Sequence, residues 1–347
     1  MKILSIGTAF PSWQRSNQDL LDEVRQMNGH AEPRMLEQYL RILGVLLKRS
    51  GANTRYWRDT KAGETSHDLL QQAMNHAFEQ ASVTAADIDM VIYCGVGRGF
   101  LEPANAYFCA KMMGINSVCF DISDACMSYV RALEIAQSYL AMGSYRAILI
   151  VNCECTVYEY GYPDLFQVQS VDQLQYTFPA FTIGEAATAT IVNAEGEPWQ
   201  FHYDSEPSLA NLCTIPLQGY QDFVGANEQV GQCGVNRFVS LSSDLFRVAV
   251  ERIVKLAGRV IDNLHEPDIW FPHTASSEPC IQIANILGIP LDQVFIDSFY
   301  KYGNLASASI PAAMQMALTE NKLQRGMKVV LAPGSAGMSF AIVKFVF

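Results

Sequence analysis

Apolar residues recur along the chain in two spacings, and stretches with the two spacings alternate. Short continuous apolar runs, typical of buried strands, lie between stretches in which apolar residues recur every three or four positions, as in amphipathic helices. Alternating strands and helices predict an α/β fold with a mostly parallel sheet covered on both faces. The predicted strands include residues 1–7, 90–94, 117–122, 147–151, 184–192, 268–272 and 334–343, and the predicted helices include 17–26, 31–48, 66–81, 104–113, 129–140, 243–263, 280–287 and 307 onward.

Two segments of the same design close the two halves of the chain. Residues 184–192 and 334–343 are each a glycine turn that leads into a strand of small residues. We interpret them as the ends of a duplicated unit, which divides the chain into residues 1–193 and 194–347. A chain of 347 residues is long enough for two fused halves with a large core.

Composition excludes several classes of function. The net charge of −11 argues against nucleic acid and anionic membranes as main partners, and no apolar run reaches the ~18 residues of a membrane span. The nine cysteines are scattered without a C-x-x-C pair, which argues against a disulfide framework or a zinc site. No G-x-G-x-x-G follows a predicted strand, so a dinucleotide is not expected. We expect a cytoplasmic protein without a metal or cofactor.

Cys126 lies between the predicted strand 117–122 and the helix that follows it. At a helix N-terminus the unpaired N–H groups and the macrodipole favour an anion, so we expect the pKa of this thiol to be lowered. A buried structural cysteine is the alternative, because free cysteines are among the most buried residues. Position alone leaves both interpretations open.

Two further polar residues occupy similar places in the second half. His273 directly follows the predicted strand 268–272, and Asn304 lies in the loop Tyr302-Gly-Asn304. Singly, these are ordinary features: a core histidine and a turn asparagine. Residues 158–181 carry seven aromatic side chains without clear periodicity, which predicts a cover over an apolar pocket or a subunit interface, with core packing as the alternative.

Taken together, the polar residues stand in a recognisable set of motifs. The motifs are Asp-Ala-Cys126, Pro-His273-Thr-Ala and Tyr-Gly-Asn304-Leu-Ala-Ser-Ala-Ser-Ile-Pro311, with further similarity at residues 184–187, 244–250 and 333–337. In this order they resemble the β-ketoacyl-acyl-carrier-protein synthase III family of thiolase-fold condensing enzymes, over most of the chain. The resemblance implies an acyltransferase with a duplicated α-β-α-β-α five-layer fold, assembled as a homodimer.

The residue types suit the chemistry of a condensing enzyme. A thiolate at Cys126 would attack an acyl thioester and hold the acyl group covalently. The N–H of Cys126 and one near Gly334–Ser335 would form an oxyanion hole. His273 and Asn304 would donate to the carbonyl of a second thioester and stabilise the enolate formed when it loses CO₂ or a proton. Attack of that carbanion on the acyl group would give a β-keto product.

Glu102 departs from the typical family pattern. Typical members carry an apolar residue there, which reaches into the acyl pocket of the partner subunit. Arg98-Gly-Phe-Leu-Glu-Pro103 instead resembles the branch that joins two long acyl-CoAs head to head, in which a glutamate donated across the dimer is the proposed base. A carboxylate in an apolar pocket would have a raised pKa and suit proton transfer. The alternative is a helix N-terminal acid, with Pro103 at the first helical position.

Other positions bear on the substrate. The resemblance implies acyl-CoA, and in some members acyl carrier protein, as the thioester partners. We assign substrate binding to Arg49, which matches an arginine that contacts coenzyme A, and to Phe181 and Arg247. The chain departs from the family pattern in two motifs and one loop, at Thr274, Ser276, Glu185, Ser335 and Ala336.

Four functions follow from this set of residues. The leading one is Claisen condensation with a malonyl thioester, and the second is non-decarboxylating condensation of two acyl-CoAs with Glu102 as base. The third is acyl transfer from Cys126 to an oxygen or nitrogen acceptor, which the retained Asn304 argues against. The fourth is an inactive partner in a heterodimer, which the intact set Cys126, His273 and Asn304 argues against.

Overall fold

The chain folds around two five-stranded sheets in a computed structural model that describes residues 1–226 and 228–347. The strands are β1 (Lys2–Ala9), β2 (Trp13–Ser16), β3 (Thr54–Trp57), β4 (Met90–Cys94), β5 (Val118–Ile122), β6 (Ala147–Cys153), β7 (Ala187–Asn193), β8 (Gln200–Ser205), β9 (Cys213–Thr214), β10 (Val239–Ser240), β11 (Ile269–Pro272), β12 (Lys328–Ala332), β13 (Gly334–Ser335) and β14 (Ser339–Val346). The helices are α1 (Asn17–Met27), α2 (Pro33–Ser50), α3 (Ser66–Gln80), α4 (Asn105–Met113), α5 (Ser128–Ala141), α6 (Val157–Tyr160), α7 (Leu174–Thr177), α8 (Ser242–Val260), α9 (Ser277–Leu287), α10 (Asp297–Tyr302) and α11 (Ser309–Thr319).

The two sheets share one strand order and one set of directions. In the first sheet, β1 is antiparallel to β7, β7 is antiparallel to β6, and β6 is parallel to β4. In the second, β8, β14, β12 and β11 repeat the same three relations in the same order. Strand β5 adds a parallel ladder beside β4, and a parallel bridge from Val294 to Trp270 occupies the corresponding place beside β11. The sheets are therefore mixed, which corrects the expectation of a mostly parallel sheet.

This repetition matches the two segments that the sequence marked as the ends of a duplicated unit. Residues 184–192 lead into β7 and residues 334–343 into β14, and these strands occupy the same place in their sheets. All strands of the first sheet lie before residue 194, and all strands of the second lie after it. The division into two domains at residue 193 stays a prediction.

The helices and sheets form five layers, because the apolar faces of the helices pack on the faces of the two sheets. Helices α5 and α11 lie between the sheets, where Leu133 of α5 and Met314 of α11 join one core with residues of both sheets. Helices α3 and α4 cover the outer face of the first sheet, and α8 and α9 cover that of the second. The architecture is the predicted thiolase-like α-β-α-β-α fold.

A smaller apolar cluster joins the N-terminal helices to the aromatic segment. Helices α1 and α2 pack with Trp57 and with Phe166, which is fully buried. Tyr160 and Phe178, from the same aromatic segment, line the cavity described below. The segment 158–181 therefore serves as core and as cavity wall at once. Within the described residues, none of the helices combines the length and apolar composition that a bilayer crossing requires.

One predicted element differs in its environment. The run 117–122 was expected to be a buried strand, but β5 lies at the edge of the first sheet, where Val118 is 49% exposed. An apolar run cannot by itself distinguish an edge strand from a central one, because the number of neighbouring strands depends on the whole sheet.

Candidate active site

Cys126 lies in a tight turn between β5 and α5. The turn is a single 3₁₀ turn, Ala125–Met127, and Ala125 before the cysteine has a φ of 45°. This left-handed conformation is unfavourable for a residue with a Cβ, so the surrounding structure has to hold it. The result is a half-buried thiol in the connection between an edge strand and a helix.

A mostly apolar cavity of about 280 Å³ opens beside Cys126. Its wall includes His273 and Asn304 as well, together with apolar residues from both halves of the chain, among them Val157, Phe178, Phe246 and Ile283. The structure therefore brings together the three residues that the motifs singled out, although they are far apart in sequence. Their catalytic roles stay predictions.

His273 is the first residue after β11, and its ring is held by a neighbouring helix. The hydroxyl of Ser309, the first residue of α11, lies 3.1 Å from Nδ1. Burial lowers the pKa of His273 to about 4, so the imidazole is neutral at neutral pH. When Ser309 donates to Nδ1, the proton of the neutral ring lies on Nε2, the nitrogen that the proposed chemistry requires as a donor.

Asn304 is fixed through its backbone and its side-chain oxygen. Its N–H donates to the carbonyl of Thr182 at 2.8 Å, and its carbonyl accepts from the N–H of Gly184 at 3.0 Å. Its Oδ1 accepts from the N–H of Ala306 at 2.9 Å. With the amide oxygen engaged in this way, the NH₂ group is the donor that the residue can offer to a substrate.

The expectation of a lowered pKa at Cys126 is wrong for the free protein. Burial raises the pKa of the thiol, and the nearby Cys213, Glu154 and Asp124 raise it further, whereas only its own backbone N–H lowers it. Desolvation disfavours the thiolate and is the largest of these causes. The raised pKa favours the thiol form of Cys126 in the free protein.

The residues expected near the oxyanion hole contact the turn that carries Cys126. Gly334 and Ser335 form β13, and both line the cavity. The Ser335 hydroxyl accepts from the N–H of Met127 at 3.2 Å and lies 3.4 Å from the carbonyl of Asp124, to which it can donate. The loop from the second half is thus tied to the turn that carries Cys126, and the oxyanion role stays a prediction.

The three residues assigned to substrate binding do not line this cavity. Phe181 is fully buried, with its ring centroid 4.2 Å from that of Phe166, so it supports the wall from behind. Arg49 is exposed and pairs with Glu278 at 3.2 Å. Arg247 is exposed as well and lies 3.9 Å from the carboxylate of Asp244. Binding by either arginine at the cavity mouth stays a prediction.

Glu102 lies on the surface of its own chain, outside the cavity wall. Its neighbour Leu101 is 81% exposed. The alternative interpretation as a helix N-terminal acid is wrong, because α4 begins only at Asn105. There the carboxylate of Asp121 accepts from the N–H groups of Asn105 at 2.8 Å and Ala106 at 3.0 Å. Asp121 therefore caps the helix.

Sequence reasoning missed one acidic residue of the site. Glu154 is 1% exposed, lines the same cavity as Cys126, and hydrogen-bonds to Ser307. In the sequence it stands between Cys153 and Cys155 at the end of an apolar run. The sequence did contain a signal that was not used: a single carboxylate stands directly after a buried strand.

The chain matches known proteins in sequence. The model described as 3-oxoacyl-[acyl-carrier-protein (ACP)] synthase III matches residues 120–206, and the model of the C-terminal part of the same family matches residues 263–346. The β-ketoacyl-[acyl-carrier-protein] synthase III of Pseudoalteromonas atlantica is 25% identical over 347 residues, which cover 98% of this chain and 97% of that relative.

Two solved structures share the fold. The 3-oxoacyl-[acyl-carrier-protein] synthase III of Aquifex aeolicus superposes with a TM-score of 0.78 at 22% identity, covering 100% of this chain and 99% of that one. A variant of OleA from Xanthomonas campestris with bound lauric acid and lauroyl-CoA superposes with a TM-score of 0.79 at 19% identity, covering 99% and 98%. Matches to both family models, in order and on a shared fold, show that this chain belongs to the 3-oxoacyl-[acyl-carrier-protein] synthase III family of acyl-condensing transferases.

Proposed function

We propose that this chain joins two acyl units by Claisen condensation, through an acyl thioester on Cys126 and with a malonyl thioester as extender. One observation carries the proposal: Cys126, His273 and Asn304 line a single, mostly apolar cavity. A nucleophile beside two hydrogen-bond donors is the minimum that the two steps of a condensation require.

In the first step the sulfur of Cys126 attacks the carbonyl of an acyl thioester. The bond to the donor thiol breaks, and the departing thiolate takes up the proton that Cys126 loses. The product is an acyl enzyme and a free thiol, so the step is a thioester exchange. The apolar cavity favours the acyl chain over water.

In the second step a malonyl thioester loses CO₂ in the same cavity. The resulting enolate oxygen accepts from Nε2 of His273 and from the NH₂ group of Asn304. Its carbon attacks the acyl carbonyl, the bond to the sulfur of Cys126 breaks, and the sulfur takes up a proton from solvent water. Neutral His273 suits this step because it offers a donor without adding a charge to a dry cavity.

The substrates follow from the relatives. The family names specify acyl carrier protein, so we propose a carrier-bound extender and acyl-CoA as the donor of the first acyl group. We also propose a homodimer, to which the exposed apolar side chains near Glu102 contribute. These side chains are Phe100, Leu101, Tyr107 and Phe108.

Condensation of two acyl-CoAs is the second candidate, and the position of Glu102 favours it. An acid that lies outside its own cavity, beside exposed apolar residues, can act as a base only in the cavity of a second subunit. The structural likeness to OleA, which was crystallised with lauroyl-CoA, supports a long acyl chain. In this reaction Glu102 removes an α-proton from the second thioester, and no CO₂ is released.

Intact-protein mass spectrometry after incubation with acyl-CoA tests the covalent step. We expect the wild type and Cys233→Ala to gain one acyl mass, because Cys233 lies outside the cavity wall, and Cys126→Ala to gain none. An adduct on Cys126→Ala would overturn the proposal.

The extender is identified by separate incubations of the acyl enzyme. Malonyl-acyl carrier protein should release CO₂ in step with product, whereas a second acyl-CoA should give product without CO₂ if the second candidate holds. In that case Glu102→Gln abolishes the reaction and the exposed matched control Glu79→Gln does not. Condensation of two acyl-CoAs that persists in Glu102→Gln would rule out this glutamate as base.

A further inference from the structure

Glu154 is a buried carboxylate on the wall of the candidate active site. It directly follows β6, is 1% exposed, and lines the cavity beside Cys126. Burying a carboxylate is costly unless hydrogen bonds replace its hydration. The hydrogen-bond partners of Glu154 therefore decide how this carboxylate is accommodated.

All the contacts of this carboxylate are donors. Its Oε1 accepts from the N–H of Val96 at 3.1 Å, from the N–H of Ser307 at 3.3 Å and from the Ser307 hydroxyl. Its Oε2 accepts from the N–H of Gly97 at 2.9 Å. Burial raises the pKa of Glu154, and these hydrogen bonds lower it in part. Four donors around two oxygens form the environment that an ionised carboxylate needs.

One pair of these contacts fixes the turn that carries Asn304. The turn contains Ala306, whose φ of 47° is unfavourable for alanine, and Asn304 Oδ1 accepts from the N–H of that same residue. Ser307, the next residue, is held by its N–H and its hydroxyl to Glu154. The side-chain amide of Asn152 donates to the same hydroxyl, so Glu154 and Asn152 together hold Ser307 next to the strained residue.

The other pair fixes the start of the loop that leads to Glu102. Val96 and Gly97 follow β4, and the Arg98 guanidinium donates to the Gly95 carbonyl at 3.1 Å, which closes this turn on itself. Gly95 packs so closely that a Cβ there would lie 2.6 Å from Glu154 Oε1. The carboxylate is therefore the common support of two loops, one with Asn304 and one with Glu102.

We propose that Glu154 is a positioning residue for the condensation step, which acts by holding the Asn304 turn through Ser307. It touches neither the acyl donor nor the extender in this proposal, and its effect reaches the substrate through Asn304. The proposal rests on the function proposed above, because it takes Asn304 as a donor to the enolate. A substitution of Glu154 should therefore affect the two half-reactions differently, because loading of Cys126 does not use Asn304 and condensation does.

The test measures the two half-reactions separately in the full-length protein. Acyl loading is followed by intact mass, and condensation by adding malonyl-acyl carrier protein to the preloaded enzyme. We expect Glu154→Gln to load within about threefold of the wild-type rate and to condense about 10²-fold more slowly, because misplacement of a reacting group by 1 Å has costs of that order. Ser307→Ala should show the same separation with a loss of about tenfold, since one of the two contacts to Glu154 remains.

Two comparisons distinguish positioning from general destabilisation. The double variant Glu154→Gln/Ser307→Ala should condense no more slowly than Glu154→Gln alone, because both substitutions remove one connection. The exposed control Glu266→Gln should behave as the wild type in both steps. If Glu154→Gln slows both half-reactions equally while its melting temperature is unchanged, or leaves condensation intact, the proposal is wrong.

Alkylation of Cys126 reports separately on the charge that Glu154 places near the thiol. The charge of Glu154 raises the pKa of that thiol, so Glu154→Gln should shift the pH profile of iodoacetamide labelling to lower pH, while condensation slows. Should Glu154→Gln fail to fold, Ser307→Ala decides, and wild-type condensation by that variant overturns the proposal. A wild type that never forms the acyl enzyme refutes the proposed function, which is a separate result.

Discussion

Two turns of this molecule, called corners below, have the same backbone conformation but different surroundings. The nucleophile corner, named for the proposed role of Cys126, is Ala125–Ser128, and the buried corner is Ala306–Ser309. Each has an alanine at positive φ, a 3₁₀ turn and then a buried helix, and the two turns contact each other between the sheets. Cys126 of the first borders the cavity, whereas Ser307 of the second is 2% exposed and hydrogen-bonded to Glu154.

The strands around the two corners explain this difference. Cys94 pairs with Asn152 in the first sheet, and Pro272 pairs with Ala332 in the second. Cys94 and Pro272 are the last residues of two strands that occupy the same place in their sheets. The residues that follow them, Gly95 and His273, therefore occupy corresponding positions.

Counting on equally from their paired residues Asn152 and Ala332, Glu154 corresponds to Gly334. At the nucleophile corner the two positions are a histidine and a glycine, which leave room for substrate. At the buried corner they are a glycine and a glutamate, and the glutamate fills the space. The fold therefore supplies two equivalent corners, and the neighbouring side chains decide which one borders the cavity.

The largest effect is expected from removing the cysteine of the first corner and from placing a cysteine in the second. Cys126→Ala should lower condensation by at least about 10³-fold, because the covalent route is lost. Cys126→Ala/Ser307→Cys should gain no acyl group by intact mass, since position 307 does not border the cavity. An acyl adduct at residue 307 would show that the buried corner is accessible to the acyl donor, which would contradict the difference between the two corners.

A second large effect is expected where Gly95 faces Glu154. Gly95→Ala should lower the free energy of unfolding by about 3 kcal/mol or more, because φ is +125° and the new Cβ would meet Glu154, Asn152 and Ser307 within 3 Å. Gly114→Ala, at a φ of +66° with open space around it, should cost about 1 kcal/mol. Denaturant unfolding of both variants measures the difference, and equal costs would contradict the close packing of this corner.

The corresponding position, His273, should make stability depend on pH. Its pKa is about 4 in the folded protein and 6.5 as the reference value, so between these values the unfolded chain binds the proton and the native state does not. Stability therefore falls as the pH drops through this window, by about 3 kcal/mol in total. Urea unfolding from pH 7 to pH 4 should show this extra loss in the wild type and in His67→Asn, and not in His273→Asn.

If His273→Asn loses as much stability as the wild type over the same window, the imidazole is not held neutral by burial. The control His67 is exposed on the surface, so its replacement should leave the pH dependence unchanged.

The smallest effects are expected at the two alanines with positive φ. Ala125→Gly and Ala306→Gly should each change the free energy of unfolding by less than about 1 kcal/mol, because relief of the left-handed strain offsets the greater freedom of glycine in the unfolded chain. Ala132→Gly, in the interior of α5, should cost about 1 kcal/mol or more. A large loss at only one of the two corners would show that their backbones are not equivalent.

The sequence by itself determined the elements and the main residues of the site. Apolar spacing located most strands and helices to within three residues, as for β4 and α1, because that spacing records which face of each element is buried. The motifs around Cys126, His273 and Asn304 identified the family, and the matching ends of the halves revealed the duplication.

Only the tertiary structure decided the environments of those residues. The thiol of Cys126 was expected to ionise easily, and burial raises its pKa instead. Asp121 caps the helix once assigned to Glu102, and Glu154 holds a turn more than 150 positions away in the chain. Desolvation, capping partners and long-range hydrogen bonds depend on which segments meet in space, and local sequence does not contain that information.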